Sequence, residues 1–344
     1  MILIITVMST RFLHVANGTS TTNTIEQAGI PGALSIWADP LHEGPVPDGL
    51  SDVELLDVRT RYLADPSHPA TWAGPDPSVD PVNDLREWRA VIERRKTYDE
   101  LVLWFEHDLF DQLNLIQLLT WIRDHLPATT PVSLICIGSY PGRPDFKGLG
   151  ELSPAELAPL FETRLRVTDG QYELAARAWQ AFRAPTPERL DALHPDERSL
   201  PFLGPALERF LQEYPSTSDG LSRTERRLLQ LADGEGIALV RAFPRMHEGE
   251  RAYYVTDTTL AATAESLART SPPLLALDLS AGDERHLLRG RIALTDAGRS
   301  VLSRELDRVT TSGIDRWLGG VHLHSGGPIW RWDEAHRRIV KTDA

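Results

Sequence analysis

Glu106, His107, Asp108, Asp111 and Gln112 crowd into the junction where an apolar run hands over to a helical pattern. The run is Leu101-Val102-Leu103-Trp104-Phe105, which reads as a buried strand, and residues 113–126 read as a helix. In an open parallel sheet, ligands bind just outside the carboxyl ends of the strands, which is where this junction falls. A histidine between two carboxylates has its imidazolium favoured and its pKa raised. That pattern predicts a general acid or a proton shuttle. Asp108 suits the helix N-cap and Asp111 the capping-box position three residues on, although Asp is not the preferred box residue. Capping accounts for Asp108 and partly for Asp111. It leaves Glu106 and His107 for catalysis, with Gln112, Asp108 and Asp111 available to a substrate.

Three further clusters follow predicted strands. After residues 11–16 comes Asn17-Gly18-Thr19-Ser20, a glycine turn with hydroxyls at a helix start. Free backbone N–H groups and the positive end of the helix dipole there suit a phosphate or carboxylate, and an ordinary Ser/Thr cap suits the same residues. His14 shares a strand face with Phe12 and Ala16, as a core histidine or a substrate contact. Asp39, His42 and Glu43 follow the second strand, residues 33–37, between the stiffening Pro40 and Pro45. Asp39 and Glu43 could assist acid–base work or hold a divalent cation. Arg143, in a Gly/Pro turn after the strand at residues 132–137, could grip a carboxylate or phosphate bidentately, or lie on the surface. Because strand ends of a parallel sheet share one edge, the four clusters can converge.

Strands alternating with helical patterns predict an α/β fold: a Rossmann-like parallel-sheet domain over residues 1–150. Helices are expected at residues 51–64 and 80–97, around a Pro-rich loop at 65–81. A helical connector follows at 151–214, and then a winged-helix-like α+β domain at 221–310. A tail at 311–344, rich in Trp, Gly and His, is expected to fold over the site as a lid around Trp317, His322 and Trp330. In winged-helix folds the third helix enters the major groove. Here residues 258–269 offer one arginine and no lysine, and the wing arginines 285, 289 and 291 are offset by Asp278, Asp283 and Glu284. A structural or oligomerising role is preferred to duplex binding.

The 344-residue chain is 41% hydrophobic and 25% charged, as globular proteins are, and its net charge of −13 disfavours nucleic-acid and anionic-membrane partners. The single cysteine, Cys136, excludes an internal disulfide and a thiolate cluster. Residues 1–8 are apolar but too short for a signal peptide or span, and Met8 offers an alternative start. A cytoplasmic protein is expected.

The segments His14-Val15-Ala16-Asn17-Gly18, residues 37–45 and residues 104–112 resemble the bacterial domain of unknown function 1835 family over about residues 11–150. Residues 148–153 and 315–320 are similar to segments of its longer members. The family pattern carries an acidic residue after Asn-Gly, where this chain has Thr19, so a metal or acid role at that position is not carried over. The resemblance implies a site location and a domain layout, and no reaction.

These readings converge on an enzyme, a hydrolase or a transferase, acting on a small anionic, phosphate- or nucleotide-bearing substrate. Asn17, Gly18, Thr19, Ser20 and Arg143 would cradle the anion, and His107 would act with Glu106 or Asp108. The alternatives are a ligand-sensing regulator that binds nucleic acid through its winged helix, and a non-enzymatic interaction protein.

Overall fold

The computed structural model describes residues 10–65, 85–87, 89–90, 92, 98–195, 198–280 and 288–342. The apolar residues 1–8, nearly all of the Pro-rich loop at 65–81, parts of the helix expected at 80–97, and Asp283, Glu284 and Arg285 lie outside the described residues. Within 80–97, residues 85–87, 89–90 and 92 are helical.

In chain order the elements begin with β1 (Phe12–Ala16), α1 (Thr19–Gln27), β2 (Ala33–Ile36), β3 (Gly44–Pro45) and α2 (Asp52–Leu63). Next come β4 (Glu100–Glu106), α3 (Leu109–His125), β5 (Val132–Ile137), β6 (Leu165–Arg166), α4 (Asp169–Arg183) and α5 (Leu203–Leu211). Then follow α6 (Arg223–Leu231), β7 (Ile237–Ala238), α7 (Leu239–Met246), α8 (Asp257–Ala268), β8 (Leu275–Asp278), β9 (Arg291–Leu294) and α9 (Asp296–Leu302). The last strands are β10 (Asp315–Gly319), β11 (Val321–His324), β12 (Ile329–Asp333) and β13 (Arg338–Thr342). The chain divides into two compact units. Unit 1 holds residues up to 39, 85–107 and 111–176; unit 2 holds 40–84, 108–110 and 177–344.

Unit 1 is a mixed α/β unit on a five-stranded sheet of order β2-β1-β4-β5-β6. β2, β1, β4 and β5 run parallel, and β6 adds an antiparallel edge. All five residues of β1 and the last six of β4 are buried, as strands covered on both faces require. The two-residue period sends Val102, Trp104 and Glu106 to one face of β4. On that face Phe12, Ala16, Val102 and Trp104 pack with Ile25, Phe146, Leu149 and Leu152. Glu106 is thus a carboxylate at the end of a hydrophobic row. α3 is apolar nearly all round (Leu113, Leu115, Ile116, Leu118 and Leu119 are all buried), which marks it as an interior helix.

Unit 2 carries three small sheets, β11-β10-β3, β12-β13 and β7-β9-β8. The predicted tail is therefore regular β structure. β10 pairs in parallel with β3 (Leu318 opposite Gly44), and β12 forms an antiparallel hairpin with β13, with Trp330 and Trp332 buried. α6 opens on a full capping box, Ser222 with Glu225, and α2 on another, Ser51 with Glu54. Among the described residues, no helix is long and apolar enough to cross a membrane.

Candidate functional site

The carboxyl ends of β1 and β4 meet through one side chain. Asn17 Nδ2 donates to Glu106 Oε2 at 2.8 Å and to Asp111 Oδ1 at 2.7 Å. Its Oδ1 accepts the Thr21 hydroxyl at 3.2 Å. The other oxygen of Glu106 accepts the backbone N–H of Leu149, and the other oxygen of Asp111 accepts the N–H of Glu106. Glu106 and Asp111 are nearly or fully buried, so these bonds replace solvation that the carboxylates have lost. Asp111 therefore ties the start of α3 back to the end of β4 and to the β1–α1 turn.

Gln112 closes the same junction. Its Nε2 donates to the Glu106 carbonyl at 2.6 Å, and Cys136 Sγ lies 3.5 Å from that carbonyl. Through these bonds it fastens α3 to the end of β4. Gly148 lies so close that a Cβ there would sit 2.9 Å from the Glu106 carboxylate. Nothing local in residues 148–150 reveals that they complete a site 43 residues upstream; the glycines at 148 and 150 are the only hint.

His107 stacks on Phe146, ring centroids 6.4 Å apart. Burial pulls its pKa below the ordinary imidazole value, opposed by a hydrogen bond to the Ile137 carbonyl. This reverses the direction expected from its flanking carboxylates, because Glu106 is directed at Asn17 and Leu149 instead. A lowered pKa suits an imidazole to accept a proton at neutral pH rather than to supply one.

α1 begins at Thr19 with Gly18 at the N-cap in extended backbone. Its first turn has no side-chain cap and no acidic residue, and Thr19 and Ser20 are exposed. The N–H groups of a helix start are left without an intrahelical partner by geometry, so this end offers donors to a ligand.

The remaining predicted residues are engaged elsewhere. His14 is fully buried; its Nδ1 accepts the Trp104 indole N–H at 3.1 Å and its Nε2 lies 3.1 Å from the Pro31 carbonyl, so neither nitrogen remains for a substrate. Arg143 is held bidentately by Glu156 (3.1 and 2.8 Å), and Arg143, then Ser153, hold the Glu156 carboxyl at about 2. Asp39 is buried in unit 1, its backbone N–H and C=O both clamped by the Asn114 amide at 2.9 Å. Asp108 precedes the first residue of α3. Glu43 belongs to unit 2. There its Oε1 accepts the Thr259 hydroxyl at 2.5 Å and lies 3.5 Å from His42 Nε2. The fully buried Arg59 laces this loop, donating to the carbonyls of Glu43 (2.6 Å), Pro40 (3.0 Å) and Pro45 (3.4 Å). Sequence reasoning missed Arg59 and Thr259, which act from α2 and α8 on a loop far away in the chain. Among the described residues, no group of three or more His, Cys, Asp or Glu side chains is placed to hold a metal ion.

No family model matches the chain, and no curated protein matches it.

Proposed function

We propose that the chain is an enzyme, a hydrolase or transferase, that binds a small phosphate- or nucleotide-bearing substrate at the carboxyl edge of the unit 1 sheet, with His107 as general base. The observation that carries this reading is the start of α1: no side-chain cap, no acidic residue in the first turn, and exposed Thr19 and Ser20 at the end of β1. Backbone N–H groups and the helix dipole there favour an anion. Asn17, Glu106 and Asp111 are positioning residues that lock the β1–α1 turn to the end of β4. On this reading unit 1 is Rossmann-like and related to the domain of unknown function 1835 family, with the site where doubly wound sheets bind ligands.

The test is a thermal-shift titration of the full chain with orthophosphate, AMP and ATP. A saturable rise in Tm is expected, since a ligand that binds only the folded state stabilises it by mass action. Thr19→Asp should weaken the response roughly tenfold while keeping the helix, because a carboxylate at this helix end competes with the anion and suits the dipole. His107→Ala should retain binding. If none of the three compounds shifts wild type, the reading is lost.

Residues 221–310 are read as winged-helix-like in a structural role. In a groove-reading domain, α8 would present its surface to DNA; here Thr259 of that helix is bonded to Glu43.

A further inference from the structure

A cavity of about 570 Å³ lies within unit 2, inside the size range of small-molecule sites. Its walls include His42, Glu43, Tyr253, Thr259, Arg316 and Trp317. We propose that this cavity binds a small organic cation carrying N–H donors, an amine or a guanidine, with Glu43 as counter-ion and His42 as a second acceptor. The proposal is independent of the sheet-edge reading, which concerns an anion and unit 1.

Glu43 supplies the charge. One of its oxygens, Oε1, accepts the Thr259 hydroxyl and lies 3.5 Å from His42 Nε2, while the side chain on the cavity wall is 30% exposed. Burial pushes the Glu43 carboxyl up, but the bonds from His42 and Thr259 and the charge of Arg59 outweigh it and hold the group below the ordinary glutamate value. Of the other charges on the wall, Asp315 is paired with His322 at an exposed position and Arg269 with Glu265. Arg316 pairs with Glu225, and Glu213 with Arg209. Glu43 instead has a hydroxyl and an imidazole.

His42 supplies the direction of hydrogen bonding. Its side chain is 4% exposed, and the ring is packed edge-on against Tyr253 (5.1 Å) and Phe110 (6.1 Å). Both ring nitrogens are buried with no hydrogen-bond partner among the described residues, Nε2 lying 3.5 Å from Glu43 Oε1. Buried polar atoms are seldom left so. In the neutral ring that turns Nε2–H to Glu43, Nδ1 is an acceptor. Carboxylate and imidazole both accept, so the group that completes them donates. An ammonium or guanidinium does this and brings the opposite charge.

The test is calorimetric titration of the full chain with agmatine and putrescine at constant ionic strength, with tetramethylammonium as a cation that has no N–H. Saturable binding of at least one amine is expected, with tetramethylammonium weaker. Glu43→Gln should weaken the amine roughly tenfold or more, as loss of a hydrogen bond to a charged group implies. Ala262→Phe, on the half-buried cavity face of α8, should abolish binding by filling the space without touching Glu43. The proposal is overturned if neither amine binds up to about 10 mM, if tetramethylammonium binds as tightly, or if folded Glu43→Gln binds undiminished. Should Glu43→Gln fail to fold, Ala262→Phe decides: undiminished binding overturns the proposal.

Discussion

Asn17 and Glu106, 89 residues apart in the chain, are joined by a 2.8 Å hydrogen bond from amide to carboxylate, and the same amide reaches Asp111. One nitrogen therefore separates two buried carboxylates and ties the end of β1 to the end of β4. Asn17→Ala removes the donor shared by both. Leaving buried charged acceptors short of a hydrogen bond should cost about 3 kcal/mol. Asn17→Asp should cost more, since it adds a third carboxylate to the pair. Urea unfolding of the two variants measures this; a loss under about 0.5 kcal/mol for Asn17→Ala would show that the knot is not structural.

How far the chain's own order discloses this site depends on the range of each interaction. The β4 run and the Glu106–His107 junction are legible because burial and period are local properties. The partners of Glu106 are not, because Asn17 and Leu149 arrive through the sheet and through a loop whose only mark is Gly148-Leu149-Gly150. The bond from Asn17 to Asp111 is hidden for the same reason, since 94 residues separate the two. The tail shows the opposite case. Val321-His322-Leu323-His324 alternates with a two-residue period and forms β11, whereas Ile329-Trp330-Arg331-Trp332 is buried at four successive positions and forms β12 without alternating. Two-residue β3 leaves no periodic trace at all.

Two histidines make stability depend on pH near neutrality. His14 and His107 both have pKa values lowered chiefly by burial, each partly opposed by a hydrogen bond to a backbone carbonyl. A depressed histidine binds fewer protons folded than unfolded, so its contribution is complete above the ordinary imidazole value of 6.5 and is lost as pH falls below it. Unfolding free energy should therefore fall between pH 7 and pH 5.5, and His107→Asn should flatten part of that slope. Parallel slopes for variant and wild type would refute the assignment to His107.

Glu225 gives a second, more acidic dependence. Burial pushes its carboxyl up, but Arg316, Arg308 and the Ser222 N–H outweigh this and bring it to about 2. Its contribution is present above the ordinary glutamate value of 4.5 and disappears as pH falls towards 2. Glu225→Gln leaves Arg316 and Arg308 without their shared counter-ion, and breaking a buried pair from one side costs about 3–5 kcal/mol. A variant of wild-type stability at pH 7, in denaturant titration, would contradict this.

Arg59 tests whether the loop from Pro40 to Pro45 is held from α2. A guanidinium presents its donors in a rigid fork, whereas a lysine ammonium cannot reach three separate carbonyls in the same way. Arg59→Lys should destabilise the protein by about 2 kcal/mol and raise amide exchange at Glu43 and Val46. Unchanged exchange at both amides would mean that the loop is held by other contacts.

Gly148 and Gly18 provide a matched pair. A Cβ at Gly148 would stand 2.9 Å from the Glu106 carboxylate, so Gly148→Ala must displace Glu106 from Asn17 or move the 148–150 turn. Overpacking of this kind typically costs about 1–3 kcal/mol. Gly18 has extended backbone and nothing within 4 Å of an added Cβ, so Gly18→Ala should change stability by no more than about 0.5 kcal/mol. The two variants also separate structure from binding. Gly148→Ala should weaken phosphate binding only if the knot beneath α1 positions the first turn, and Gly18→Ala should weaken it only if the anion packs against Gly18 itself. Should both proteins bind phosphate exactly as wild type does while Gly148→Ala is destabilised, the knot is a structural fastening and the anion site lies elsewhere.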